Sequence, residues 1–175
     1  MARPIDSLTD AQLQAINRKH TWVTATRDAK GRLLGRPSPD FLFDIPERRV
    51  VIARDKLGLQ GKKVVEFGSL EGGHTVGLLV CGADVLSLEA RDENIAKTKE
   101  RCRLYGFDAK IQKCDVENDP IPFADLFFHS GVLYHLQDPV AHLMRIAPLA
   151  SELLLDLHHA AKSDTEYISA NGKSY

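Results

Sequence analysis

VVEFGSLEGGHTVGL, residues Val64 to Leu78, is the stretch on which the fold turns. Its β-branched and aromatic opening reads as a buried strand, and its end as an amphipathic helix. Three glycines within six residues, Gly68, Gly72 and Gly73, mark the hand-over. Glycine is costly inside ordered structure unless the backbone must bend or be approached closely. The turn therefore either packs the helix hard against the sheet or admits a ligand. Its GxxxGG spacing is not the GxGxxG of dinucleotide sites. It nearly satisfies GxxxxGK followed by Ser or Thr, but His74 stands where that loop needs its lysine. A neutral imidazole is a poor partner for β- and γ-phosphates, which argues against nucleoside triphosphate hydrolysis.

Outward from this turn the pattern alternates. KVVEF, DVLSLEA, AKIQKCD, ADLFFHS and SELLLDL read as strands. Gly73–Cys81, Asp92–Leu104 and Pro139–Ala147 read as helices, and 117–122 as a Pro-bearing loop. Five apolar strands with mostly helical connections predict an α/β fold, with a parallel sheet covered on both faces. Ligands of such sheets lie beyond the carboxyl ends of the strands. That rim carries Gly68, Glu89, Asp115, Ser130–His135 and Asp156–His159.

Upstream, Ser7 and Asp10 suggest a capping box opening a helix over 8–19. Residues 27–46 are rich in Gly, Pro and charge and read as an irregular connector, followed by a helix over 47–57 that stops near Gly58. The chain thus divides into a helical leader, 1–60, able to act as a lid, and a ligand-binding domain, 61–175. Its 175 residues bear a net charge of −1, split between a leader at +4 and a remainder at −5. A leader without a dense basic cluster is weak support for nucleic acid. No apolar run approaches a membrane span, and MARPIDSLTD has no apolar signal core. Cys81, Cys102 and Cys114 lack CxxC spacing and read as reduced thiols of a cytoplasmic protein.

The acids on the rim narrow the ligand. Glu66 at the strand end and Glu71 in the turn would repel phosphate but suit a ligand whose near end is cationic. S-adenosylmethionine is such a ligand, and its carboxylate can use the N–H groups at the start of the helix near Gly73. Glu89, 21 residues after Gly68, is placed to accept both ribose hydroxyls. Asp115 is placed to take a hydrogen bond from the adenine amino group. Either acid alone is more often a solvated strand-end residue; the two on one rim with a glycine turn are harder to dismiss.

VVEFGSLEGGHT, LSLEA, CDV and FFHSGVLYHLQDP together resemble the successive motifs of class I S-adenosylmethionine-dependent methyltransferases, over roughly 61–157. GSLEGGHT and SGVLYHLQDP are particularly similar to a bacterial branch, and GVLYH also occurs in tRNA wobble-uridine carboxymethyltransferases. The resemblance implies a Rossmann-like, doubly wound, mostly parallel sheet. It implies that Glu66, Gly68, Gly72 and Gly73, with His74 beside them, hold the methionine portion. Glu89 with Ala90 then holds the ribose, and Asp115 and Val116 address adenine. Ser130, Gly131 and Leu133 line the floor.

Methyl transfer is an in-line displacement in which the protein positions the acceptor. A hydroxyl acceptor benefits from a base titrating near the working pH, usually histidine. His129, His135, His158 and His159 are the rim's candidates, with His135 first and His158 second; His135 reads equally well as a structural residue. A metal site at His158 and His159 is disfavoured, because adjacent strand residues face opposite ways.

The family fold normally adds two further strands, which are largely absent here. Asn171-Gly172 is a hairpin turn signal, but only three residues follow it. The fifth strand is therefore expected to leave an apolar edge, covered by a longer chain or by a second copy. The implied activity is methyl transfer to oxygen or nitrogen of a small-molecule acceptor. An RNA-modifying enzyme and a non-catalytic cofactor-binding module are the alternatives.

Overall fold

The leader is more ordered than its composition suggests. The computed structural model describes residues 3–36 and 42–158. Two helices open it, α1 (Pro4–Ser7) and α2 (Asp10–Lys19). Thr9, not Ser7, caps the second: its Oγ1 accepts from Gln12 N at 3.2 Å, and Gln12 Oε1 accepts from Thr9 N at 2.8 Å. Ser7 instead closes α1 by donating to Pro4 O at 2.8 Å. Pro4 starts that separate turn and so moves the true helix start downstream.

The connector is not irregular throughout. It contributes to a small sheet of β1 (Ala25–Arg27), β2 (Leu33–Gly35) and β3 (Leu42–Phe43), in the order β2-β1-β3. Asp28 makes the hairpin: its carboxylate accepts from Lys30 N and Arg32 N, while the Arg32 side chain returns to it at 2.7 Å. An Asx-type turn thus sets a register that glycine and charge content alone conceal. Next, α3 (Arg48–Leu57) ends where expected, at Gly58 with φ 69°.

Beyond Lys62 the elements follow the periodicity. They are β4 (Lys63–Phe67), α4 (Gly73–Val80), β5 (Asp84–Glu89), α5 (Asp92–Leu104), β6 (Lys110–Lys113), β7 (Ala124–Ser130), α6 (Pro139–Ile146) and β8 (Ala150–Asp156). Short 3₁₀ turns cover Leu133–His135 and Ala147–Leu149. All pairings in this sheet are parallel, in the order β6-β5-β4-β7-β8. The chain runs outward from β4 through β5 to β6, then crosses to β7 on the other side of β4. A crevice therefore opens between the carboxyl ends of β4 and β7, the switch point where such sheets bind ligands.

Alternation splits the core between two faces. Val64, Leu126 and Phe128 pack on Val50 and Ala53 of α3 and Leu78 of α4. Val65, Phe67 and Phe127 face the opposite way, toward Ile146 of α6. A third cluster joins Ile5, Leu13, Trp22 and Leu34 of the leader to Val76 and Cys102. The leader is thus packed onto α4 and α5. Among the described residues, β8 is an edge strand whose Leu153 and Leu155 are exposed. The Asn171-Gly172 turn signal lies outside the described residues.

Candidate functional site

The crevice holds a cavity of about 540 Å³, within the range of about 300–1,000 Å³ usual for ligand sites. Of the residues singled out in the sequence, Gly68, Gly73, His74, Glu89, Ala90, Asp115, Val116, Ser130, Gly131 and His135 line it. Glu66, Gly72, Leu133 and His158 are not among its lining residues.

Glu89 is held in the cavity wall by the backbone. Its Oε2 accepts from Leu70 N at 2.9 Å and its Oε1 from Arg91 N at 3.0 Å. One backbone donor on each oxygen fixes the carboxylate plane and leaves each a further acceptor direction, which suits a vicinal diol. To deliver its N–H, Leu70 sits at φ 51°, a left-handed conformation that costs an L-residue about 1–2 kcal/mol. Gly73 and His74 open α4, whose first N–H groups have no partners within the helix and bear its positive end. An acceptor pair and a helix start on one cavity are acceptor and donor types that suit the diol and carboxylate of the cofactor inferred from the sequence.

Two of the three glycines are required by the protein itself. At Gly68, with φ 69°, an added Cβ would lie 2.6 Å from Val132 Cγ2. At Gly72, with φ 79°, it would meet Thr98 of α5 at 2.9 Å. The turn is tight against both β7's exit loop and α5 while it also borders the cavity through Gly68 and Gly73.

The two glutamates near the turn act differently from the sequence expectation. Glu66 is 1% exposed and lies behind the cavity wall. Its Oε2 accepts from Thr75 Oγ1 at 2.6 Å and Ser87 Oγ at 2.5 Å, while Oε1 is buried without a partner. Burial pushes this carboxyl up, against the pull of the Ser87 and Thr75 hydroxyls. Glu71 does not face the cavity as a free negative charge. Its oxygens accept from Val23 N, Thr24 N and Thr24 Oγ1 at 2.7–2.8 Å, and Lys97 Nζ lies 3.1 Å away. Burial would raise it, but the Thr24 and Val23 amides, the Thr24 hydroxyl and Arg101 hold it below the usual carboxylate range. Glu71 is the clamp between the glycine turn and the leader, a role that needed contacts 47 and 48 residues apart.

After β6, Asp115 Oδ1 accepts from Glu117 N at 3.0 Å and Oδ2 from Asn118 Nδ2 at 2.8 Å. These bonds shape the loop after β6 and lower the Asp115 pKa. At the end of β7, Ser130 Oγ donates to Asp156 Oδ2 at 3.0 Å and accepts from Arg49 Nη1 at 3.2 Å. Glu47 Oε1 lies 3.8 Å from Arg49 Nε. Glu47 Oε2 approaches His74 Nε2 at 3.3 Å, out of line for a hydrogen bond. Phe43, Arg49 and Thr24 line the cavity too, and sequence reasoning missed them. They come from the leader, where no local pattern announces a ligand.

The rim histidines separate. His135 lines the cavity, with its ring 4.3 Å from that of Tyr134. His158 is exposed and lies against Tyr134 at 5.2 Å. His129 is not a rim residue: it is fully buried on the α6 face, stacked on Phe67, with Nε2 3.1 Å from His142 Nε2. Strand alternation sends its side chain away from the crevice. Burial, and then His142, push its pKa down to about 4. His159 lies outside the described residues. Among the described residues no group of three His, Cys, Asp or Glu side chains is arranged to hold a metal ion. Nor is any helix long and apolar enough to cross a membrane.

No protein-family model and no curated protein matches this chain. Solved structures do. The N-terminal domain of EvdMO1 with S-adenosylhomocysteine bound superposes with a TM-score of 0.73 at 23% identity, over 95% of this chain and 72% of that domain. The same domain crystallised in the presence of S-adenosylhomocysteine and D-fucose gives a TM-score of 0.69 at 24% identity. This chain spans 39% of the longer EvdMO1 chain. Magnesium protoporphyrin IX methyltransferase from Synechocystis PCC 6803, with bound S-adenosylmethionine, gives a TM-score of 0.56 at 21% identity, over 65% of this chain and 56% of that one. The N-methyltransferase NodS from Bradyrhizobium japonicum WM9, in complex with S-adenosylhomocysteine, gives 0.51 at 17% identity, over 60% and 56%. With its parallel sheet, switch-point cavity and glycine turn, the chain has the fold of the class I S-adenosylmethionine-dependent methyltransferases.

Proposed function

We propose that this protein binds S-adenosylmethionine in the switch-point cavity and transfers its methyl group to oxygen or nitrogen of a small-molecule acceptor. The observation that carries this reading is the Glu89 carboxylate, held by two backbone N–H groups in the wall of the cavity that the start of α4 also lines. The bound cofactor supplies a methyl group already activated by its sulfonium. The chain's part is to hold the acceptor in line, where proximity lowers the barrier, and to receive the acceptor's proton. His135, on the cavity wall beside Tyr134, is the first candidate to take that proton, which its lining of the cavity supports. His158, one ring further out, serves as a second candidate.

Val23, Thr24 and Phe43 of the leader line the cavity, which supports a lid role for it. Part of its positive charge is paired within the protein. Arg3 pairs with Asp6, Arg32 with Asp28 and Asp10, Lys19 with Glu100 and Arg54 with Asp55. The lack of a dense basic cluster in the leader, and the D-fucose present with the EvdMO1 domain, support a small molecule over RNA. Incubation with methyl-labelled S-adenosylmethionine and either a cell metabolite fraction or total RNA tests this. Label is expected in the small-molecule fraction, and label confined to RNA would refute the acceptor class. The exposed leucines of β8 support self-association across that edge. Sedimentation equilibrium is expected to show a dimer that Leu153→Lys weakens.

A further inference from the structure

We infer that the acceptor is a neutral, hydroxyl-bearing ring of the sugar type, seated at the Arg49–Ser130–Tyr134 mouth of the cavity. This inference rests on the methyltransferase reading above and extends it to the class of acceptor.

Charge comes first. Arg49, bonded to Ser130, stands between two carboxylates, with Nε 3.5 Å from Asp156 Oδ2 and 3.8 Å from Glu47 Oε1. An anionic acceptor drawn to Arg49 would meet both acids, and like charges brought together select against a partner. A protonated amine would suit the acids but has no lone pair to receive a methyl group. The carboxylates would hold it in that unreactive form. A neutral acceptor avoids both conflicts.

The hydrogen-bonding groups then point to hydroxyls. Ser130 Oγ already acts as donor to Asp156 and acceptor from Arg49. Carboxylate, hydroxyl and guanidinium side by side offer both acceptors and donors, the pairing that adjacent hydroxyls demand. Beside them Tyr134 is 44% exposed, with its ring braced by His135 at 4.3 Å and His158 at 5.2 Å. A rigid aromatic ring offers an apolar face with a polar tip. The C–H face of a saturated ring can cover it while the ring's hydroxyls reach the polar side. Phe43, from the leader, adds a further apolar wall.

Three probes with one ring and three charges test this: glucose, glucuronate and glucosamine. Each is added to the full chain saturated with S-adenosylhomocysteine, and binding is read by saturation-transfer NMR. Glucose is expected to bind, with glucuronate at least about tenfold weaker; glucosamine, whose ammonium the acids would hold, is expected to bind but, with S-adenosylmethionine in place of S-adenosylhomocysteine, to take no methyl group on nitrogen. Tyr134→Ala is expected to abolish the glucose signal, and Asp156→Asn to recover glucuronate binding, while both variants still bind S-adenosylhomocysteine. Recovery by Asp156→Asn is a change that a merely structural role for Asp156 would not produce. Preference for glucuronate, N-methylation of glucosamine, or no signal from glucose on the loaded protein would overturn the inference and leave the cofactor reading intact. Failure to bind S-adenosylhomocysteine at all would overturn both.

Discussion

Gly68 carries two constraints at once, a φ of 69° and a Val132 methyl 2.6 Å from where a Cβ would stand. Valine is stiff at χ1 and cannot swing aside cheaply. Gly68→Ala is therefore expected to destabilise the fold by about 2 kcal/mol, from the left-handed cost and the added overlap. Urea unfolding measures this, and an unchanged midpoint would contradict it. Adding Val132→Ala should recover the overlap but not the backbone cost. His129 gives a prediction in pH. Its folded pKa of about 4 lies below the ordinary value of about 6.5 for an unfolded chain. As pH falls from about 6.5 toward 4, the unfolded chain takes the proton first, so stability present above this window is lost, by roughly 3 kcal/mol at most. His142, also depressed by burial and then by Arg145, works in the same direction. Glu66, raised by burial, works in the opposite one, gaining stability as pH falls. The informative quantity is thus the difference between wild type and His129→Gln. The variant should lose less stability across that window, and parallel curves would refute the assignment.

At the scale of elements, Glu71 joins the glycine turn to the start of the leader's sheet. Glu71→Ala would leave Lys97, with its side chain 3% exposed, and Arg101, fully buried, without their shared carboxylate. Removing one partner of a buried pair costs about 3–5 kcal/mol; Lys97 keeps Glu93 at 2.6 Å, which favours the lower end. Hydrogen exchange gives the sharper readout, because the Val23 and Thr24 amides donate to Glu71. They should exchange much faster in the variant, whereas unchanged protection would show that the leader is held elsewhere. This clamp explains what the sequence could and could not reveal. The alternation of β4, α4, β5 and α5 was legible because each element buries a face with its own period. The Gly58 stop was legible because that residue's φ of 69° is a local demand. Thr9's capping box was confused with Ser7, since both offer a hydroxyl and a polar residue three positions on. The Asp28 hairpin was hidden because its strands have only three residues each, too few for a period to show.

Across the whole molecule, the strand order converts four separated motifs into one rim. Glu89, Asp115 and Ser130 were recognisable as strand ends, and parallel strands in a single sheet bring such ends together. The roles of Glu66 and His129 were not recognisable, because whether a strand-end residue faces the crevice or the core depends on what covers each face. The leader's share of the cavity, through Thr24, Phe43 and Arg49, is likewise a property of the assembled fold. The central claim is that this assembled rim is an S-adenosylmethionine site anchored at Glu89. Calorimetric titration of S-adenosylhomocysteine into wild type and Glu89→Ala, with NADH and ATP as controls, tests it most directly. The account predicts saturable binding by wild type, none of the controls binding comparably, and a loss of about 1.5–3 kcal/mol in Glu89→Ala, the range for hydrogen bonds to a charged group. A folded wild type that does not bind, or a Glu89→Ala variant that binds as tightly, would contradict it.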